Sequence, residues 1–264
     1  VHTQPTEIRH RIAEMRKLAS EAIKAGALGF STSRSLNHRA MDGTPTPSLK
    51  ATEDELTGIA MGLHDVDAGV LQFISDFPDG EREFAMMRRV AERSGRAMSF
   101  SLMQLPHAPD LWREILGWVE DAQAAGLDIK PQVCGRPIGA LGGLRLSYNS
   151  FSFCPSYQEI AHLSPEERLQ ALSDPARKAA ILAEFPGEAG LPIQRVVTDF
   201  SNIFILGDDL NYEPTPEQSL AAHAEKLGRP AHELAYDLLL EDEGNTVFYM
   251  PALNYVENTM APAE

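Results

Sequence analysis

The chain has 264 residues, a formal net charge of −15, 43% hydrophobic and 23% charged residues. That composition belongs to a soluble globular protein long enough for one large α/β domain or two small ones. The acidic balance argues against a nucleic-acid partner, which needs clustered Lys and Arg. No apolar run approaches the roughly 20 residues of a membrane helix, and no signal-peptide core opens the chain, so a cytoplasmic location without a membrane partner is expected.

Ile8, Ile12, Met15, Leu18, Ala19, Ala22 and Ile23 recur at helical spacing and predict a helix over 6–25 with Thr6 as its N-cap. A strand over 27–32 follows, then a polar loop from Ser33 to Ala51, long for a βα connection. Thr52-Glu53-Asp54-Glu55 opens a second helix as a capping box. It leads to a strand at 70–75, a helix at 79–93, a strand at 97–103, a helix at 110–125 and a strand at 128–133. Each of the four helix-to-strand joins passes through a glycine, Gly26, Gly69, Gly95 or Gly126, as a left-handed helix end requires. Repeated βα units predict a parallel sheet whose chemistry lies at the carboxyl ends of its strands.

The rhythm breaks at 137–192, a stretch with Gly139, Gly142 and Gly143, the aromatics Phe151, Phe153 and Tyr157, and helix starts at Ser164-Pro165 and Asp174-Pro175. It reads as an insertion capping a barrel mouth. Beyond it, 195–206 is expected to be extended, helices are expected from Thr215 to about Leu227 and from Pro230 to about Leu240, and a last strand over 246–255. The domain reading is therefore 1–136 as βα repeats of a barrel, 137–192 as insertion, and 193–264 as later barrel helices and a final strand. Five strands fall short of the eight in a (β/α)8 barrel. The expected fold class is α/β, a partial TIM-like barrel, and the chain reads as a segment of a longer protein. The sheet edges left open would pair with a second copy in a homo-oligomer or with flanking residues.

Candidate site residues lie at the strand ends. Ser33, Arg34 and His38 follow the first strand, where a guanidinium, hydroxyls and an imidazole can hold a carboxylate; the plainer reading is a polar turn. Asp76 ends the second strand, as an acceptor for a His or a substrate amine, or as a cap of the next helix. Gln104 follows the third strand with an amide that donates and accepts, while His107 reads as a surface residue. Gln132 and Arg136 flank Gly135 after the fourth strand, with Arg136 either an anion anchor or the partner of a carboxylate in the insertion. Asn254 closes the last strand, against the substrate or in a structural hydrogen-bonded pair. Cys134 and Cys154 lie outside any C-x-x-C pair and read as reduced and buried. The sequence has no HxH, HExxH, GxSxG, P-loop or GxGxxG motif, and no metal cluster is legible.

The run from Ala25 to Arg34, with Leu36-Asn37-His38-Arg39 and Asp42-Gly43, resembles the N-acyl-D-amino-acid deacylase (D-aminoacylase-like) branch of the amidohydrolase superfamily. So do the blocks Ser99 to Gln104, Gln132 to Gly139 and Ala235 to Asp242, in order and spacing along nearly the whole chain. The resemblance implies a metal-dependent (β/α)8 barrel that hydrolyses an amide or related C–N bond, with zinc or another divalent metal activating water and an Asp moving the proton. It places the metal-binding HxH ahead of Val1 and the catalytic Asp beyond Glu264. The deacylases carry a ligand His where Leu102 follows Ser101 here, so no metal ligand is expected in this chain, and its catalytic residues are left unassigned. Ser33, Arg34, His38, Asp76, Gln104, Gln132, Arg136 and Asn254 remain as substrate-side candidates. The expected function is a segment of a hydrolase acting on an N-acyl amino acid or similar small amide, inactive when isolated. The alternative is a barrel that has lost hydrolysis and binds a small carboxylate. A metal-independent lyase or isomerase is a weaker third, with Asp76 as its one strand-end carboxylate.

Overall fold

The structure is a computed structural model, and it describes residues 5–40, 42–187, 192–207 and 211–256. The chain forms two compact units, Val1–Met103 with Ala108–Val133, and Gln104–His107 with Cys134–Glu264.

The first unit follows the repeated pattern of its sequence. Its elements are α1 (Pro5–Lys24), β1 (Gly29–Arg34), α2 (Glu53–His64), β2 (Val70–Ser75), α3 (Gly80–Ser94), β3 (Met98–Ser101), α4 (Leu111–Ala124) and β4 (Ile129–Gln132). Gly26, Gly69, Gly95 and Gly126 all take positive φ, between 63° and 108°, and turn each helix back toward the next strand. The strands pair in parallel in the order β1-β2-β3-β4. With right-handed crossovers, sequential order puts α2, α3 and α4 on one face of the sheet. Side chains pointing to that face form an apolar core of Leu71, Phe73, Met98, Phe100 and Ile129 against Leu63, Met87, Val90, Ile115 and Val119. Phe100 meets Phe77 and Phe84 edge-on at 5.8 and 6.1 Å.

The opposite face is polar. Ser31, Gln72, Ser99 and Lys130 stand in one register line across all four strands, and Ser31 donates a hydrogen bond to Gln72 Oε1. No closed barrel forms among the described residues, since β1 and β4 end the sheet.

Several boundaries differ from the sequence expectation. The α1 helix already includes Pro5, whose fixed φ suits a first turn, so Thr6 lies inside the helix rather than capping it. The β1 register runs through Arg34, which makes Ser33 and Arg34 strand residues rather than the start of a loop. Asp79 caps α3 by accepting from Arg82 N at 3.2 Å, leaving Asp76 outside the cap. Thr52 caps α2 through Glu55 N at 3.3 Å, as its capping box predicts. On α2, Gly62 accepts from Ser20 Oγ at 2.7 Å and lets α1 approach so closely that a Cβ there would overlap the Arg16 carbonyl oxygen.

The second unit departs further. It contains β5 (Ile138–Gly143), α5 (Pro155–Gln158), α6 (Pro165–Leu172), α7 (Pro175–Glu184), α8 (Pro192–Thr198), β6 (Phe204–Ile205), α9 (Leu220–Lys226), α10 (Ala231–Leu240) and β7 (Val247–Leu253). Among the described residues its three strands pair antiparallel in the order β5-β7-β6. The final strand therefore does not extend the parallel series, and 138–143, expected as part of an insertion, is a strand. The glycines that argued for a loop serve pairing: a Cβ on Gly139 would stand 2.6 Å from Met250 O. The 195–206 stretch is helical and 3-10 in its first part, with only Phe204 and Ile205 in strand. The Thr215 start belongs to a 3-10 turn, and α9 begins at Leu220 with Ser219 accepting from Ala222 N at 3.2 Å.

The helices of this unit pack around Tyr236, whose hydroxyl donates to Leu172 O at 2.8 Å and whose ring meets Phe151 at 5.2 Å. Ser164 and Glu167 complete the expected capping box of α6. Cys154 is buried and its thiol is pushed up to about 11, chiefly by burial and then by Glu184. Cys134, expected to be buried, is only half-buried, because it follows β4 into the connection leading to β5.

Candidate functional site

The first unit holds Ser33, Arg34, His38, Asp76 and Gln132 at the carboxyl ends of its strands. Ser33 Oγ lies 2.6 Å from His38 Nδ1, and the Ser33 carbonyl accepts from Ser48 Oγ at 2.7 Å. Asp76 Oδ2 accepts from Leu36 N at 2.7 Å, so the second strand end holds the loop that follows the first. Arg34 is already engaged. Its guanidinium pairs with Glu83, with Nη2 3.3 Å from Oε2, and Nη1 donates to Ala51 O at 2.7 Å. A guanidinium held this way is a brace between β1 and α3, with its charge matched inside the unit. Gln132 is exposed at the end of β4, and its carbonyl accepts from Leu102 N at 3.0 Å.

The second unit brings Gln104 and Asn254 together. Gln104 N donates to Asn254 Oδ1 at 2.8 Å, and Asn254 N donates back to Gln104 O at 3.1 Å. Asn254 is fully buried with φ +57°, a conformation that Asn tolerates better than most residues. The reciprocal bonds describe a clamp between the Gln104 loop and the end of β7.

Arg136 has a different setting. It lines a pocket of about 240 Å³ with Leu141 of β5, Tyr249 of β7, Leu206 just past β6, and Asn211 and Tyr212. Among the described residues no carboxylate pairs with its guanidinium, which stands over the Tyr212 ring at 5.8 Å from the centroid. The Tyr212 and Tyr249 rings meet edge-on at 6.5 Å. Tyr249 is 8% exposed, and its hydroxyl, closed off from solvent, has no hydrogen-bond partner among the described residues. Burial pushes that hydroxyl's pKa up, Tyr212 adds to the rise, and the Arg136 charge pulls the other way. An exposed guanidinium beside aromatic and apolar walls is suited to an anion with an apolar body.

Sequence reading found Arg136 but not Tyr212 or Tyr249. Tyr249 reaches the pocket because β7 pairs Tyr249 with Leu141, 108 positions earlier (249 − 141), and nothing local announces that pairing. The polar row Ser31, Gln72, Ser99 and Lys130 was also missed, although the alternation in Met98-Ser99-Phe100-Ser101 signals it.

Among the described residues no three His, Cys, Asp or Glu side chains come together as metal ligands. Leu102, where the resemblance expects a ligand His, is 4% exposed and sits in the apolar core of the first unit. This donor set does not fit a divalent metal centre.

No family model matches the chain, and no curated protein matches it. Solved structures of D-aminoacylase are similar to it at 15% sequence identity. One is a mutant in complex with copper chloride (TM-score 0.43, covering 99% of this chain) and one comes from work on a binuclear metal centre (TM-score 0.43, 99%). A third is described as defining a novel subset of amidohydrolases (TM-score 0.39, 97%). This chain spans 40% of the length of each.

Proposed function

We propose that this chain is the substrate-holding part of an amidohydrolase-type enzyme acting on the C–N bond of an N-acyl amino acid or similar small amide, and that Arg136 receives the substrate carboxylate. Support comes from the deacylase-like sequence blocks, from the parallel βα series with polar residues at its strand ends, and above all from the Arg136 pocket. There a cation without a carboxylate partner among the described residues stands over the Tyr212 ring, beside the apolar side chains of Leu141 and Leu206. The chain's own residues bind and orient; water activation belongs to the rest of the protein.

The test is calorimetric titration of the chain with N-acetylated amino acids, together with an assay for released amine. Binding is expected, weakened about 10- to 100-fold in Arg136→Met, as for loss of a charge-assisted hydrogen bond. No amine release is expected from the chain with or without added zinc. Turnover surviving contaminant controls, or binding that ignores Arg136, overturns the reading.

Leu102 favours a second reading, in which the whole protein has lost hydrolysis and binds a small carboxylate as a sensor or partner subunit. Metal analysis of the longest natural polypeptide containing this segment separates the two, since stoichiometric divalent metal supports the enzyme and its absence supports the binder.

A further inference from the structure

Ser33 and His38 form a couple whose chemistry goes beyond holding a substrate. Ser33 lies near the carboxyl end of β1, two positions on from Ser31 and so on the same polar face of the sheet. Its Oγ stands 2.6 Å from His38 Nδ1, the separation a nucleophile and its base need. Both keep solvent access, Ser33 half-buried and His38 exposed. Both are also held in place. The Ser33 carbonyl accepts from Ser48 Oγ at 2.7 Å, which fixes the strand end. The loop carrying His38 is pinned where Leu36 N donates to Asp76 Oδ2 at 2.7 Å, and where Arg39 donates to Leu36 O and Gly43 O at 3.1 and 2.9 Å. Arg34 draws in the far end of the same loop through Ala51 O at 2.7 Å. Fixed partners at hydrogen-bond distance are what activation by a general base requires. The oxyanion side is less well provided. The N–H groups of Ser35, Leu36, Asn37 and His38 go to Ser33 Oγ, Asp76 Oδ2, Ser35 Oγ and Ser35 O. None of the four is left for a tetrahedral oxyanion, where one donor is worth about 10²- to 10³-fold in rate.

We propose that Ser33 is an acyl-accepting nucleophile activated by His38, acting on small carboxylic esters with a good leaving group, such as aryl acetates. Ser35 N already donates to Ser33 Oγ, so the hydroxyl proton is directed at Nδ1. Oγ attacks the ester carbonyl as Nδ1 takes that proton. The C–O bond to the aryloxide then breaks and the imidazolium hands the proton to it, leaving acyl-Ser33 and a phenol. Water attacks the acyl carbon with His38 again as base, which releases the carboxylic acid and restores Ser33. Amides fall outside this class. An amine is a far poorer leaving group, and its tetrahedral intermediate needs the oxyanion donors that the loop uses internally. The activity is separate from the amide reading above and does not depend on the Arg136 pocket.

The experiment follows p-nitrophenolate release from p-nitrophenyl acetate by the whole chain carrying Cys134→Ala, which removes the half-buried thiol as a competing nucleophile. The acetyl group is mapped by mass spectrometry of peptides from the acid-quenched chain. Acetyl is expected on Ser33, with release about 10²-fold faster than in Ser33→Ala. His38→Ala should lose about as much, and the double variant no more than either, because the two groups act as a unit. Added imidazole should restore Ser33 acetylation in His38→Ala, a rescue that a merely structural histidine would not show. Thermal melts establish that each variant is folded. If a variant unfolds, the parent alone decides: acetyl on lysines or other histidines but not on Ser33 overturns the proposal. Release unchanged in Ser33→Ala, or imidazole without effect on Ser33 acetylation in His38→Ala, overturns it too and leaves the pair as a brace of its loop.

Discussion

Replacing glycine by alanine at two helical positions of the first unit should change stability in opposite directions. In a helix interior, alanine is favoured over glycine by about 0.8–1 kcal/mol. Gly117 of α4 has no heavy atom within 4 Å of the site a Cβ would occupy, so Gly117→Ala should gain nearly all of that. Gly62 of α2 faces α1. A Cβ there would overlap the Arg16 carbonyl oxygen and lie 3.0 Å from Ala19 Cβ, and the residue's own carbonyl accepts from Ser20 Oγ at 2.7 Å. The obstacle is backbone, which cannot rotate away, and overpacking of this kind costs about 1–3 kcal/mol. Helix separation would also weaken the Ser20 bond, worth about 1 kcal/mol. These losses exceed the propensity gain, so Gly62→Ala should be net destabilising by about 1–2 kcal/mol. Urea unfolding followed by far-UV circular dichroism reads both variants. With a slope of ~2 kcal/mol per molar, Gly62→Ala should lower the midpoint by about 0.5–1 M and Gly117→Ala should raise it by about 0.4 M. A Gly62→Ala midpoint at or above that of the parent would show that α1 and α2 do not pack through this glycine.

Two further outcomes follow from the second unit and the connection leading into it. A thiol reagent at pH 8 should titrate Cys134 in the native chain and reach Cys154 only after unfolding, because burial and Glu184 push the Cys154 thiol up to about 11. Equal rates at both cysteines would contradict the packing around α5. Asp237 is the second case: burial raises its pKa, but hydrogen bonds from Arg229 and Lys178 outweigh that and hold the carboxyl below its ordinary 3.8. A carboxylate depressed on folding contributes stability that is present above the unfolded value and lost as pH falls through the folded one. Thermal melts from pH 7 down to pH 2 should therefore decline more steeply below about pH 4 in the parent than in Asp237→Asn. Parallel curves would mean that the pair with Arg229 and Lys178 does not form in solution.

The first unit was legible because its signals are local. A positive-φ glycine after each helix, a Thr or Asp at a helix start and the alternation of strand residues all act within a few positions, and β2 appears at its expected 70–75. The role of Arg34 was not legible, since its partner Glu83 lies 49 positions away on α3. The second unit resisted because its sheet joins segments far apart in the chain. Gly139 and Gly142 carry the composition of a loop, yet they are small because Met250 of β7 crosses them closely. For the same reason the sequence offers Arg136 as a strand-end candidate but does not show that Tyr249 lines the same pocket. Leu102 has no donor atom for a metal, and the structure places it in the apolar core of the first unit.

The strands of the first unit divide two kinds of work between alternate positions. Met98 and Phe100 are locked by neighbours on every side, while Ser99 and Ser101 look the other way beside Gln72, Lys130 and Gln132. Exchanging residues in this second set leaves the interior that keeps the strands in register untouched. Evolution, or an engineer, can therefore redecorate one side of the sheet while the other keeps the chain folded, and new specificities need not begin with a loss of stability.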